Sequence, residues 1–318
     1  MRTVVCLLTL ALLPLQSSPR GLTPLVDHHQ HLFSPETIGL AGATIEPLDA
    51  ADLIAYLDAA GIARAAVLST AYQFGNPNRP PVENEYAKVK AENDWTSRQV
   101  ARYPGRLRGL CGVNPLKEYA VDEIARCAQD PSLRSGLKMH FGNSDVDLDN
   151  PAHVLQLQRV FRAANDRRMA IVVHMRSSTT MRRPYGAKEA RVFLNDVLPS
   201  APDIPIQIAH LAGGGTYDDP ATDEALSVFV DAIARKDPQT AHLYFDISGL
   251  AGYGKWMEHT DQVAARIRQV GIQRILYGSD GARGGGLAPR EAWATLQKLP
   301  LSGDELRAIA NNVAPYMR

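Results

Sequence analysis

From residue 25 onward the chain repeats one pattern eight times: a short apolar run, then a stretch whose apolar residues return every three or four positions. The runs are 25–29, 63–69, 106–113, 135–141, 170–175, 204–211, 242–248 and 274–280. Each has strand length, and most are nearly continuously apolar, as strands covered on both faces must be. Between them, segments such as 49–61, 85–104 and 153–167 carry the spacing of a helix with one buried face. Strands alternating with helices predict parallel pairing, and eight such units predict an α/β fold, a closed TIM (β/α)8 barrel. A doubly wound open sheet is the rival. No G-x-G-x-x-G follows an early strand, which argues against its dinucleotide-binding version. A length of 318 residues is ordinary for one such barrel. Beyond that alternation no sequence repeat, low-complexity tract or linker marks a second domain, so a single domain is expected over residues 19–318.

The first residues differ. Arg2 precedes an apolar run at 4–15, then the small polar pair Ser17 and Ser18. That order predicts a secretory signal peptide at 1–18, cleaved near 17–20, and an exported protein, periplasmic or extracellular. The run is short for a membrane span, and no other segment approaches spanning length, so no membrane contact is expected after cleavage. Lys+Arg and Asp+Glu both number 34, a formal net charge of +0. Nothing in that balance attracts nucleic acid or an anionic membrane; a small-molecule substrate is the expected partner. Oligomeric state is left open. Cys6 would leave with the signal. Cys111 and Cys127 are neither C-x-x-C nor zinc-spaced, and the expectation is two buried thiols rather than a disulfide.

The longest irregular pieces, 72–84, 176–187, 212–223 and 281–291, all follow strands. In a barrel they gather at the carboxyl ends, where active sites lie. The Gly-rich stretch 281–286 lacks the G-K-[ST] ending of a phosphate loop and reads as a mobile loop. The same ends carry the metal-binding side chains. His29 and His31 close the first run, two apart and therefore on one side of a strand. Asp27 shares their parity and is expected to orient an imidazole from behind. His174 ends the fifth run, His210 lies at the end of the sixth, and Asp280 ends the eighth. A barrel brings these ends around one axis. Imidazole and carboxylate together suit zinc, and also manganese or iron.

These pieces resemble the amidohydrolase superfamily, in its amidohydrolase-related branch, which also contains nonoxidative decarboxylases. The matching segments are D-x-H-x-H at 27–31, GLK at 136–138, VVH at 172–174, AHLAGG at 209–214, YGSD at 277–280 and IANNVAPY at 309–316. The resemblance implies that His29, His31, His174 and Asp280 hold a divalent ion, with zinc first among the candidates. It makes His210 either a further ligand or a catalytic acid/base. Lys138, if carboxylated, would bridge two ions; one ion is the expected content. Otherwise Lys138 pairs with a carboxylate or the substrate. His140 shares its parity and is a candidate for the pocket wall. Arg176, two residues past His174, is a candidate for binding a substrate carboxylate or phosphate, while Arg182 and Arg183 read as solvated. His28, His153, His242 and His259 read as structural.

The expected reaction is hydrolysis of an ester, lactone or amide. Asp280 would take the proton of the attacking water, and His210 or the metal would stabilise the oxyanion. Nonoxidative decarboxylation of a small carboxylic acid is the alternative. A non-enzymatic, secreted binding barrel is a third, against which the complete ligand set argues.

Overall fold

The computed structural model describes residues 22–41, 46–215, 217, 219–250, 256–281 and 287–318. The signal peptide expected at 1–18, and most of the Gly-rich loop at 281–286, lie outside the described residues. Eight parallel strands stand in sequence order around a barrel: β1 Val26–Gln30, β2 Arg64–Leu68, β3 Leu107–Gly112, β4 Gly136–His140, β5 Ala170–His174, β6 Ile206–Ile208, β7 Leu243–Asp246 and β8 Ile275–Leu276. Seven lie inside their apolar runs, and β1 extends one residue beyond its run, to Gln30. β8 is only two residues long, and the ring closes just beyond it. There His28 N donates to Tyr277 O (2.9 Å) and Asp280 N donates to His29 O (2.9 Å).

The helices form where the 3.6-residue pattern runs and stop where the backbone chemistry changes. The helix Ala50–Ala60 opens on a capping box between Asp49 and Asp52 and ends at Gly61 in the left-handed region. Its Leu53 and Leu57 are buried. The helix Gly303–Asn311 opens on a second box, Ser302 with Glu305. Between sheet and helices, Phe141, Phe161, Phe193, Phe229 and Phe245 meet edge to face at centroid distances of 5.7–6.4 Å. Inside the barrel, a second apolar cluster runs from Val26 and Leu68 to Tyr316 and Met317 near the chain's end. Among the described residues, no helix is long and apolar enough to cross a membrane.

The cysteines depart from expectation. Cys111 of β3 and Cys127, the last residue of the helix Ala120–Cys127, form a disulfide with Cα atoms 6.2 Å apart. The helix folds back over the strand it follows, so its last turn lands on the outward face of β3; a spacing of 16 residues does not reveal that alone. Glu123, beside the pair, is taken up by Arg126 and Asn93. Closing a loop of this length should stabilise the fold by about 3 kcal/mol. The Cys111→Ala/Cys127→Ala protein is therefore expected to unfold at lower denaturant, with its slope otherwise similar; an unchanged midpoint would remove the disulfide from the account of stability.

Candidate active site

β1 delivers His29 and His31 to the carboxyl end of the barrel. His29 Nδ1 lies 3.0 Å from Asp246 Oδ2, and Asp246 is fully buried on β7. An ionised carboxylate only accepts, so Nδ1 carries the hydrogen and Nε2 keeps its lone pair. His31 is set the same way, with Nδ1 donating to Leu68 O at 2.7 Å. Both Nε2 atoms then face one carboxylate: Asp280 Oδ1 is 3.6 Å from His29 Nε2 and 3.5 Å from His31 Nε2. Three acceptors aimed at one another call for a cation between them. Two imidazole nitrogens and a carboxylate oxygen fit a divalent transition ion in chemistry and in number. Lys138 Nζ is the positive charge adjoining them, donating to His29 Nε2 at 3.1 Å.

The backbone is strained where these groups are aimed. Asp280 has φ 50°, and His210, Leu211 and Ala212 follow β6 with φ 55°, 50° and 66°. Left-handed conformations in such residues cost about 1–3 kcal/mol each and tend to persist at functional positions. The turn sends the His210 ring back over the barrel mouth, 4.9 Å from His29 and 5.0 Å from His174. Gly278 makes a close approach possible: a Cβ there would stand 2.7 Å from His29 Cβ and 3.0 Å from Ser248 Cβ. His210 Nδ1 donates to Ser248 O at 2.8 Å, so a neutral His210 also presents a lone pair at Nε2. Metal ligation or proton acceptance suits it; donation to an oxyanion would require the imidazolium.

Burial drives the titration of the imidazoles. His31 falls to about 3, chiefly by burial and then by the charge of Lys138. His140 and His174 are lowered well below the usual value for the same first reason, and His210 is lowered too. Burial brings Lys138 down to about 8, against the pull of Asp280 and Asp246. Burial pushes Asp280 up, but His29, His210, His31 and Lys138 together outweigh it and leave the carboxyl below its ordinary value.

His29, His31, Asp280 and Lys138 thus come together, with His210 beside them. His174 stands one step away. Its ring stacks on His140 at 3.8 Å and meets His210 edge-on, outside the His29–His31–Asp280 group. His174 and His140 line a cavity of about 530 Å³ at the barrel mouth, together with Arg176. Arg176 is held by Asp219 Oδ2 (2.7 Å from Nε) and lies over the Tyr185 ring. Arg183 is taken by Asp145 and Asp147, while Arg182 is exposed. His28 is structural: its Nδ1 donates to Tyr277 O, and its Nε2 accepts from Ala314 N.

Asp27 does not orient an imidazole. Its oxygens accept from the backbone of His29 and Ser279 and from the Gln30 and Ser279 side chains, locking β1 to the segment after β8. Burial raises its carboxyl to about 6. The carboxylate behind His29 is Asp246, which the sequence reading did not single out. It also accepts from Gln207 Nε2 (2.6 Å), His210 N (3.0 Å) and Ser248 Oγ (2.5 Å). His29, His210 and Asp246 form a tight trio, but the imidazole atoms turned to Asp246 are both Nδ1, already donating, so the trio is a hydrogen-bond hub. Asp246→Asn is expected to weaken metal binding about 10–100-fold by releasing the His29 ring. Competition against a chelator measures this, and unchanged affinity would show that the ring is oriented by other contacts.

The model of the Amidohydrolase family matches residues 26–314, and the chain belongs to that family. It is therefore a member of a family of metal-dependent enzymes. The sequence matches no curated protein. Among solved structures it is similar to the 5-carboxyvanillate decarboxylase of Sphingomonas paucimobilis, at 17% identity over 93% of this chain and 99% of that one, with a TM-score of 0.61. A probable 2-pyrone-4,6-dicarboxylic acid hydrolase of Acinetobacter baumannii, with citric acid bound, is 16% identical over 90% and 96%, TM-score 0.60. The 5-carboxyvanillate decarboxylase of Novosphingobium aromaticivorans, complexed with manganese and a nitrobenzoic acid, is 15% identical over 91% and 94%, TM-score 0.61. At these identities the likeness concerns the barrel fold.

Proposed function

We propose that the protein is a metal-dependent hydrolase that cleaves an ester, lactone or amide of a small acidic molecule. The observation carrying this reading is the placement of Asp280. Among the described residues it is the one carboxylate facing both His29 and His31, it is held ionised, and its side chain is 24% exposed where the imidazoles are 1% and 10%. It therefore meets the ligand nitrogens and the incoming water at once. His29, His31 and Asp280 would hold one divalent ion, zinc before manganese or iron, with His210 or His174 completing the set. The ion, when bound, supplies the Lewis acidity that makes water nucleophilic near neutral pH. Asp280 takes the proton of the attacking water and returns it to the leaving oxygen or nitrogen. His210, its Nδ1 committed to Ser248, orients the water through Nε2 when it is not itself a ligand. Arg176, fixed by Asp219 and Tyr185, binds a substrate carboxylate with its remaining donors.

Turnover in oxygen-18 water tests the reading: the label should enter the acid product. Release of carbon dioxide, with no solvent oxygen in the organic product, would replace hydrolysis by decarboxylation. Export fits the same picture, since a disulfide persists in an oxidising compartment. The mature protein should then begin after residues 17–20, and an intact Met1 on protein from the cytosol would overturn it.

A further inference from the structure

The cavity at the barrel mouth has a wall of one chemical character. Three asparagines, Asn76, Asn78 and Asn143, lie on one part of it. The four consecutive hydroxyls of residues 177–180 lie on another. Two guanidiniums, Arg79 and Arg176, and one carboxylate, Asp219, make up its charged lining, and Arg176 is the one paired with Asp219. Among the described residues, no aliphatic or phenyl side chain faces the cavity, and its aromatic surface is that of His140 and His174.

Part of this wall, Asn76, Asn78 and Ser178, is held in place before any ligand arrives. Asn78 Nδ2 donates to Asn76 Oδ1 (2.9 Å) and Gly142 O (3.1 Å), and its Oδ1 accepts from Ser178 Oγ (3.4 Å). Ser177 is 3% exposed, and its hydroxyl has no hydrogen-bond partner among the described residues. A flat apolar ring pressed on this wall would strip water from amides and hydroxyls and return no hydrogen bonds, a costly exchange. A ligand carrying several hydroxyls would replace that water group for group. The surplus of one positive charge suits a single carboxylate.

We propose that the site takes a non-aromatic, polyhydroxylated monocarboxylic acid, or the lactone or ester that yields it. This rests on the hydrolase reading for the bond cleaved and on the cavity wall alone for the class of molecule. Calorimetric titration of the metal-loaded protein with D-gluconate and with benzoate tests it, and no turnover is involved. Gluconate should bind at least tenfold more tightly. The Asn143→Leu/Thr180→Val protein, altered only on the wall, should lose most of that preference and keep its metal. Equal or tighter binding of benzoate would overturn the proposal, as would failure of either acid to bind. Gluconate binding that is indifferent to the two wall substitutions would mark simple chelation and overturn it equally. The oxygen-18 experiment is decided separately, so each reading can fall while the other stands.

Discussion

The protein in which both His29 and His31 are replaced by alanine is expected to hold essentially no metal and to show no turnover. The pair provides two of the three lone pairs directed at the shared position, and Asp280 alone is a weak monodentate ligand. Elemental analysis should fall from about one equivalent in the parent, or about two if Lys138 is carboxylated, to background. The fold should survive, because the apolar cluster between sheet and helices does not depend on these rings. Circular dichroism measured alongside separates loss of ligands from loss of structure. Full metal content in a folded double variant would move the site to other residues.

Asp280→Asn is the second large effect. The amide keeps the shape of the side chain but cannot accept the water proton. Turnover should fall about a hundredfold or more at saturating substrate, provided the same sample retains its ion. The backbone tie from Asp280 N to His29 O remains in the variant, so the loop should hold its position. Activity within a few fold of the parent at full metal content would take Asp280 out of proton transfer and pass that role to His210.

The barrel was readable because its signal is repeated: each strand fell on an apolar run, and the chain order gave the neighbours. His29 and His31 were readable as a pair because a two-residue spacing on a strand fixes a common side. Asp246 carries no such mark. It is one acid in an apolar strand, and its meaning depends on His29, which lies 217 residues earlier in the chain. A charged residue inside the run 242–248 was the available clue, since a lone carboxylate is costly there without a partner. Asp27 misled for the opposite reason. Its parity put it on the right side of β1, but the distortion of β1–β2 pairing between Asp27 and Gln30 leaves its oxygens to Ser279 and Gln30. The asparagines of the mouth come from loops whose conformation no periodicity encodes.

The join between β1 and the segment after β8 bears on how the protein is made. Asp27 and Ser279 meet across 252 positions, so the histidines of β1 are synthesised long before the carboxylate that completes their group. Gln207, which steadies Asp246, in turn accepts from the Tyr316 hydroxyl near the end of the chain. A nascent chain therefore cannot bring Asp280 to His29 and His31, however long it waits. The ion should be acquired only after the last strand docks, and it should then act as a clasp across that seam. Ribosome-stalled chains ending before residue 275 are expected to bind no zinc above background, and a loaded ion on such chains would show that the first strand suffices.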